Sequence, residues 1–381
     1  MDTLELLKRL VAFDTVSSKS NLDLIDWAAD YVSALGAVAE IVPGAREERA
    51  SLWARFGPDV PGGVVLSGHS DVVPVEGQAW DTAPFELVET DGRVYGRGTS
   101  DMKGFVACAL SVLTRAETSN LKRPIYVALT YDEEIGCQGA PHLISWLKDR
   151  GVDAEAVFVG EPTSMRVVNA HKGIAVCRVD IRGVEAHSSL VHEGVSAIAL
   201  AGRAITLLAD VEAEFRTRAS DERFTPSYAT MSPNLIEGGE ATNILAGHCS
   251  FHFDLRVIPG VTAQEVVDRF ADRLEAEIIA PERARIPGCD AVCALMTDTP
   301  GLAALPESPA ERLATRLTGD NQALAVPYGA EAGLYQRGGL SAVLIGPGSI
   351  EQAHQPNEFI DISQLRACEV FLERVVAEMS A

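Results

Sequence analysis

The sequence predicts an α/β fold: a mainly parallel central sheet flanked by helices, plus an inserted α+β domain of the split βαβ sandwich type. Three observations predict it. Four short, β-branched apolar runs have the character of strands buried on both faces. Segments with apolar residues at helical spacing lie between them. A middle section alternates instead, as half-exposed strands do.

In chain order, residues 3–12 and 22–35 carry apolar residues at helical spacing (Leu4, Leu7, Val11; Leu22, Ile25, Ala28, Val32). The buried strands are placed at 63–67, 125–130, 156–160 and 342–346, with helices at 102–116 and 141–150. From Cys177 to Gly183 the pattern alternates. A helix is expected at about 194–209, then a polar loop at 212–227 and strands at 228–237 and 248–257. A helix at 262–277 and a last strand at 278–287 complete a β-α-β-β-α-β order. The domains expected are therefore 1–176 with 289–381, interrupted by an insertion at 177–288. No internal repeat occurs.

Composition narrows the function classes. At about 150 residues per domain, 381 residues make two or three domains. Apolar residues at 47% suffice for a large core. With 32 basic against 54 acidic residues the net charge is −22, and that field repels nucleic acid and anionic lipid. Apolar runs such as 197–202 fall far short of the ~20 residues a membrane span needs. The start, Met1-Asp2-Thr3-Leu4-Glu5, carries acid where a secretory signal carries base. Seven scattered cysteines fit reduced thiols in the cytoplasm, with one local disulfide as the alternative. Cys289 and Cys293 match no common zinc spacing.

Chemistry-bearing residues follow each buried run. After the first comes Gly68-His69-Ser70-Asp71, after the second Tyr131-Asp132-Glu133-Glu134, and after the third Glu161-Pro162. A glycine-proline loop leads from the fourth to His354, and Gly96-Arg97-Gly98-Thr99-Ser100-Asp101 places Asp101 at the mouth of a helix. Open α/β sheets bind ligands beyond the carboxyl ends of their strands. Singly, His69 reads as a core histidine, Glu133-Glu134 as a solvated pair, Asp101 as a helix cap, and Glu161 and His354 as loop residues. Jointly, two imidazoles and three carboxylates suit zinc, cobalt or manganese. Without a cation, those carboxylates would repel. With one carboxylate bridging, two divalent ions can share a site. The rival motifs fail: Gly96-x-Gly98 is followed by Asp101 where a dinucleotide loop needs glycine, and there is no GxSxG elbow or P-loop.

Five ordered blocks resemble the signatures of the M20 family of metallopeptidases and deacylases. They are Gly68 to Pro74, Gly96 to Gly104, Glu133-Glu134, Gly160-Glu161-Pro162, and Ala353-His354-x-Pro356-Asn357-Glu358. The resemblance implies two divalent ions, zinc first and cobalt as the alternative, bridged by Asp101. His69 and Glu161 would complete one site, Glu134 and His354 the other. Glu133 would be the general base, and Asp71 would accept the N–H of the His69 ring. It further implies a cis peptide at Asp101–Met102. By the same resemblance the insertion is a lid and dimerisation domain, so a homodimer is expected. His187 would reach the partner subunit's active site, and Asn243 and Arg256 would hold a substrate carboxylate. The activity implied is hydrolysis of the amide of a small N-acyl amino acid. Desuccinylase, aminoacylase and dipeptidase activities are the alternatives. Two positions depart from the family pattern: Ala330, where threonine is usual, and Ile244-Leu245 after Asn243.

Overall fold

The structure is a computed structural model that describes residues 1–381. Contacts divide the chain into two units: Met1–Ala170 with Leu302–Ala325 and Ala330–Ala381, and His171–Gly301 with Val326–Gly329.

The first unit begins with helices α1 (Thr3–Val11) and α2 (Leu22–Ala34). Asp2 caps α1 in a capping box with Glu5, satisfying free N–H groups of its first turn. Strands β1 (Val38–Pro43), β2 (Ala50–Phe56) and β3 (Gly63–His69) follow, then the short β4 (Val88–Thr90) and β5 (Arg93–Tyr95). Helix α3 (Lys103–Arg115) leads to β6 (Ile125–Thr130), α4 (Ala140–Asp149), β7 (Ala154–Val159) and β8 (Val168–His171).

The second unit comprises β9 (Gly173–Arg182), α5 (Ala197–Arg218), β10 (Thr230–Gly238), β11 (His248–Val257), α6 (Ala263–Leu274), α7 (Ala280–Arg285) and β12 (Asp290–Thr299). The chain then supplies α8 (Pro309–Thr318), β13 (Leu324–Val326), α9 (Ala332–Arg337), β14 (Ala342–Leu344), β15 (Phe359–Asp361) and α10 (Ile362–Ser380).

The main sheet runs β1-β2-β6-β3-β7-β14-β8-β13. Its centre, β6-β3-β7-β14, is parallel, and these are the four apolar runs legible in the sequence. They are buried along their whole length or nearly so, which is why they read as continuous apolar stretches. Antiparallel β1 and β2 extend one flank, and β8 pairs antiparallel with β14 on the other. Helix α3 is buried from Lys103 to Leu113, packed in a core with α1, α10 and the sheet. No helix is long and apolar enough to cross a membrane. All seven cysteines are free.

The second unit is a separate antiparallel sheet, β10-β11-β9-β12, and its β-α-β-β-α-β order is the expected one. Two local expectations are corrected. Helix α5 extends through the first part of the expected polar loop, because Val211 and Phe215 continue its buried stripe. The strand expected at 278–287 is helical. Ile278 and Ile279 are buried within a π-helical turn (Glu275–Ile279) that joins α6 to α7, and Pro281 follows directly in the first turn of α7. The last strand is β12, paired with β9, which carries this unit past the expected limit at 288.

Candidate active site

The parallel strands deliver their polar residues to one end of the sheet. His69 is the last residue of β3 and is paired in register with Thr130 at the end of β6. Glu133 and Glu134 follow β6, Glu161 follows β7, and His354 lies on the loop after β14. Asp101 precedes α3, and the Asp101–Met102 peptide is cis.

These groups meet. Asp101 Oδ1 lies 2.9 Å from His69 Nε2, and Asp101 Oδ2 lies 3.3 Å from His354 Nε2. His354 Nε2 is also 2.8 Å from Glu134 Oε2. Two groups of potential ligand atoms result, each within 4.8 Å: His69, Asp101 and Glu161, and then Asp101, Glu134 and His354. Asp101 belongs to both, so one carboxylate stands between two sets of ligands.

The electrostatics are those of a site built for added positive charge. Burial pushes Glu133 up to about 7 and Glu134 up to about 8, with the neighbouring Asp101 charge adding to the rise in each. Burial and the same charge also raise Glu161, whose Oε1 is buried without a partner. Burial alone would raise Asp101, but hydrogen bonds from His354 and His69 hold it below its ordinary range. The orphaned oxygen and the crowded acids fit a divalent cation in each group. The mixed imidazole and carboxylate set suits zinc, cobalt or manganese.

The surroundings fix these ligands. His69 Nδ1 is 2.8 Å from the backbone carbonyl of Asp71, whereas the Asp71 carboxylate stands at 3.7 Å. The expectation that the Asp71 side chain would take the ring N–H is therefore corrected: the carbonyl does so. The Asp71 carboxylate is occupied by the N–H groups of Glu133 (3.1 Å) and Glu134 (3.2 Å) and by the Ser17 hydroxyl (2.7 Å). It pins the backbone that presents both glutamates. Glu133 Oε1 accepts a hydrogen bond from the Cys137 thiol at 3.3 Å.

In the second unit, His187 and Asn243 come together. His187 bridges to Ile244, Ser188 N–H donates to the Asn243 carbonyl at 2.9 Å, and both side chains are exposed. His187 Nδ1 lies 2.8 Å from Ser189 Oγ. Arg256 stands near the other end of β11, its guanidinium held by Asp254 at 2.8 Å. The structure does not place it with that pair.

Three buried residues escaped the sequence reading. Glu331 is 1% exposed and accepts the Thr130 hydroxyl at 2.9 Å, and burial raises it to about 7. Arg97 and Glu358 form a buried ion pair at 2.8 Å. Both lie within the quoted blocks, but nothing in a linear pattern shows that a loop residue near the end of the chain pairs with one before α3.

A sheet whose strand ends converge on two ligand groups sharing a carboxylate defines a class, the α/β metallohydrolases. The profile of peptidase family M20/M25/M40 matches residues 65–378, and this chain belongs to that family. It is 36% identical over 367 residues to an acetylornithine deacetylase of Proteus mirabilis (strain HI4320), covering 94% of this chain and 92% of the other. To an acetylornithine deacetylase of Myxococcus xanthus it is 36% identical over 376 residues, covering 97% and 96%. Among solved structures, a tripeptidase from Staphylococcus aureus subsp. aureus mu50 superposes with a TM-score of 0.76 at 19% identity, covering 99% and 98%. A Bacillus subtilis protein described as a dinuclear metal binding peptidase from the M20 family gives 0.68 at 17% identity, covering 99% and 97%.

Proposed function

We propose that this protein hydrolyses the amide of an N-acyl amino acid, and in particular converts N-acetylornithine to ornithine and acetate in arginine biosynthesis. The observation that carries the reading is Asp101 shared between two ligand groups with Glu133 beside them. The relatives at 36% identity over nearly the whole chain supply the substrate class.

In this reading His69, Asp101 and Glu161 hold one divalent ion, and Asp101, Glu134 and His354 the other, with zinc the first candidate and cobalt the second. When bound, such a pair supplies Lewis acidity and makes water acidic near neutral pH. Glu133 then does the proton work. Its carboxylate removes a proton from the attacking water and returns it to the amine nitrogen as the C–N bond breaks. A carboxylate that is not itself a ligand is free to do both halves of that task. Asp71, through the two N–H groups it accepts, keeps Glu133 facing the acyl carbon while Glu134 faces its ion.

The second unit serves as lid and dimerisation domain in a homodimer. There His187 of the partner subunit donates to the developing oxyanion, a contribution of about 10²–10³ in rate for such a donor. Arg256 binds the substrate carboxylate in a bidentate manner, and Asn243 of the partner subunit, which stands with the partner's His187, joins it there. We place the protein in the cytoplasm, where its free thiols stay reduced.

The test is a substrate panel on zinc- and cobalt-loaded protein: acetylornithine, succinyl-diaminopimelate, other N-acyl amino acids and dipeptides. The reading expects the highest kcat/KM on acetylornithine. A higher value on a dipeptide would move the protein to the peptidase side of the family.

A further inference from the structure

Away from the ligands themselves, one buried carboxylate ties together the two loops that carry Asp101 and His354. Glu358 is 1% exposed, and its two oxygens accept four donors. Oε1 takes the N–H groups of Ser100 at 2.8 Å and Asp101 at 3.1 Å. Oε2 takes the N–H of Gly98 at 3.0 Å and Arg97 Nη1 at 2.8 Å. The Glu358 carbonyl also accepts the Gly96 N–H at 2.9 Å. Residues 96–101 are thus folded over one side chain from the far end of the sequence.

Arg97 carries the tie onward. It is as buried as Glu358, and its Nη1 also donates to the Gln355 carbonyl at 3.2 Å. Its Nη2 donates to Gln78 Oε1 at 2.5 Å, and Gln78 Nε2 donates in turn to the carbonyl of His354 at 3.0 Å. The guanidinium lies 5.0 Å from the Trp80 ring, which closes it from solvent. The loop from His354 to Glu358 is therefore anchored on Arg97 at its start and on the Asp101 turn at its end.

The two ligand groups do not depend on this anchor equally. His69 is the last residue of a strand inside the sheet, and Glu161 follows Gly160, whose N–H donates to Ser67 O at 3.0 Å just past the end of another, so the ladder steadies both. Asp101 keeps its own turn through Thr99 N–H to Gly96 O at 3.2 Å and Lys103 N–H to Gly98 O at 2.8 Å. His354 is held by loop contacts alone, in which Gln352 N–H to Ser349 O at 3.1 Å and Ala353 N–H to Ile350 O at 3.2 Å close the turn before it and Asp81 pairs with Asn357 beyond it. The His354 backbone is left-handed (φ 63°), its ring is half exposed, and it lies outside every strand. The side-chain link from the His354 carbonyl to the Asp101 turn runs through Gln78, Arg97 and Glu358.

We propose that Glu358 and Arg97 are a positioning pair that sets the metal affinity of the Asp101–Glu134–His354 group, by holding the His354 loop in register with the Asp101 turn. The proposal rests on the two-ion reading given above. It makes Glu358 neither a ligand nor a proton donor. The chemical requirement is a carboxylate: each of its oxygens faces two N–H donors, so an amide of the same shape turns an NH₂ toward donors at one end.

The experiment is titration of metal-free protein with cobalt(II), followed by isothermal calorimetry and by visible absorption, which reports each site's ligand geometry. Wild type, Glu358→Gln, Glu358→Asp and Gln78→Ala are compared, with circular dichroism of each metal-free protein. We expect Glu358→Gln to weaken one of the two ions by about 10–100-fold, the range for residues that orient ligands, and to leave the other within about threefold. Glu358→Asp, which keeps the charge, should recover part of the loss. Gln78→Ala removes the half-buried side chain that joins Arg97 Nη2 and Trp80 Nε1 to the His354 carbonyl and leaves the Glu358–Arg97 pair intact, so it carries the test in folded protein even if Glu358→Gln does not fold. It should weaken the same ion by a smaller factor and change the same absorption band. Wild-type affinities at both ions in Gln78→Ala and Glu358→Gln, or equal weakening of both ions, would overturn the proposal. Fewer than two ions per wild-type chain would instead overturn the two-ion reading beneath it.

Discussion

Glu133 and Glu134 are neighbours in the chain with different surroundings, and Asp71 explains how both are presented. Its carboxylate accepts both backbone N–H groups, so the peptide between the glutamates cannot turn and their side chains keep separate directions. Glu134 meets His354 and Asp101, while Glu133 Oε1 meets only the weak donor of Cys137. A carboxylate that is not a ligand can be replaced without losing the ions. Glu133→Gln should retain the metal content of the wild type and lose about 10²–10⁴ in kcat, measured by plasma emission and initial rates. At this scale the sequence was informative where a residue type itself is the chemistry, as for His69 or Glu161. It was silent where the choice lies between a residue's backbone and its side chain. His69 uses the carbonyl of Asp71, and no residue pattern distinguishes that from its carboxylate.

At the scale of elements, legibility followed burial joined to an unbroken apolar run; β2 is buried almost throughout but carries Ser51 and Arg55 and did not stand out. Strands β3, β6, β7 and β14 stand out because both faces are covered and their residues are apolar throughout. Strand β1 is largely exposed and β13 is only three residues long and partly exposed, so no run marks them. The misplaced last strand has the opposite cause. Ile278-Ile279 looks like a strand seed but packs as part of a helical turn, whereas β12 is half exposed and reads as irregular. The strand ends that carry ligands are packed as closely as their interiors. A Cβ on Gly160, the residue before Glu161, would stand 2.0 Å from the Phe105 ring of α3. Gly160→Ala should therefore lower stability by about 1–3 kcal/mol, the usual cost of overpacking, seen as a lower melting temperature. It should also weaken the ion of the His69–Asp101–Glu161 group, and a variant with unchanged melting and metal affinity would contradict that packing.

For the molecule as a whole, the site gathers residues from position 69 to position 354, and it does so at the cost of crowding acids in a chain already at −22. Membership of the M20/M25/M40 family was readable because five blocks keep their order over nearly the whole chain. What the second unit contributes to a partner copy depends on a second chain, which no single sequence contains. Ions that bind the folded chain and relieve the repulsion stabilise it by mass action, by about 2.7 kcal/mol at a hundredfold excess over Kd. A chelator should therefore lower the melting temperature, and zinc or cobalt should restore it. Magnesium, which favours all-oxygen ligands, should restore it less. An unchanged melting curve would mean that the acids are accommodated without metal.

Asp101 is the one side chain common to both ligand groups, so metal counting on that residue bears on the central claim most directly. Plasma emission on zinc-repleted wild type should give two ions per chain, and Asp101→Ala, checked by circular dichroism to be folded, should retain less than one. Fewer than one ion per wild-type chain after repletion, or two ions held equally well by Asp101→Ala, would contradict it.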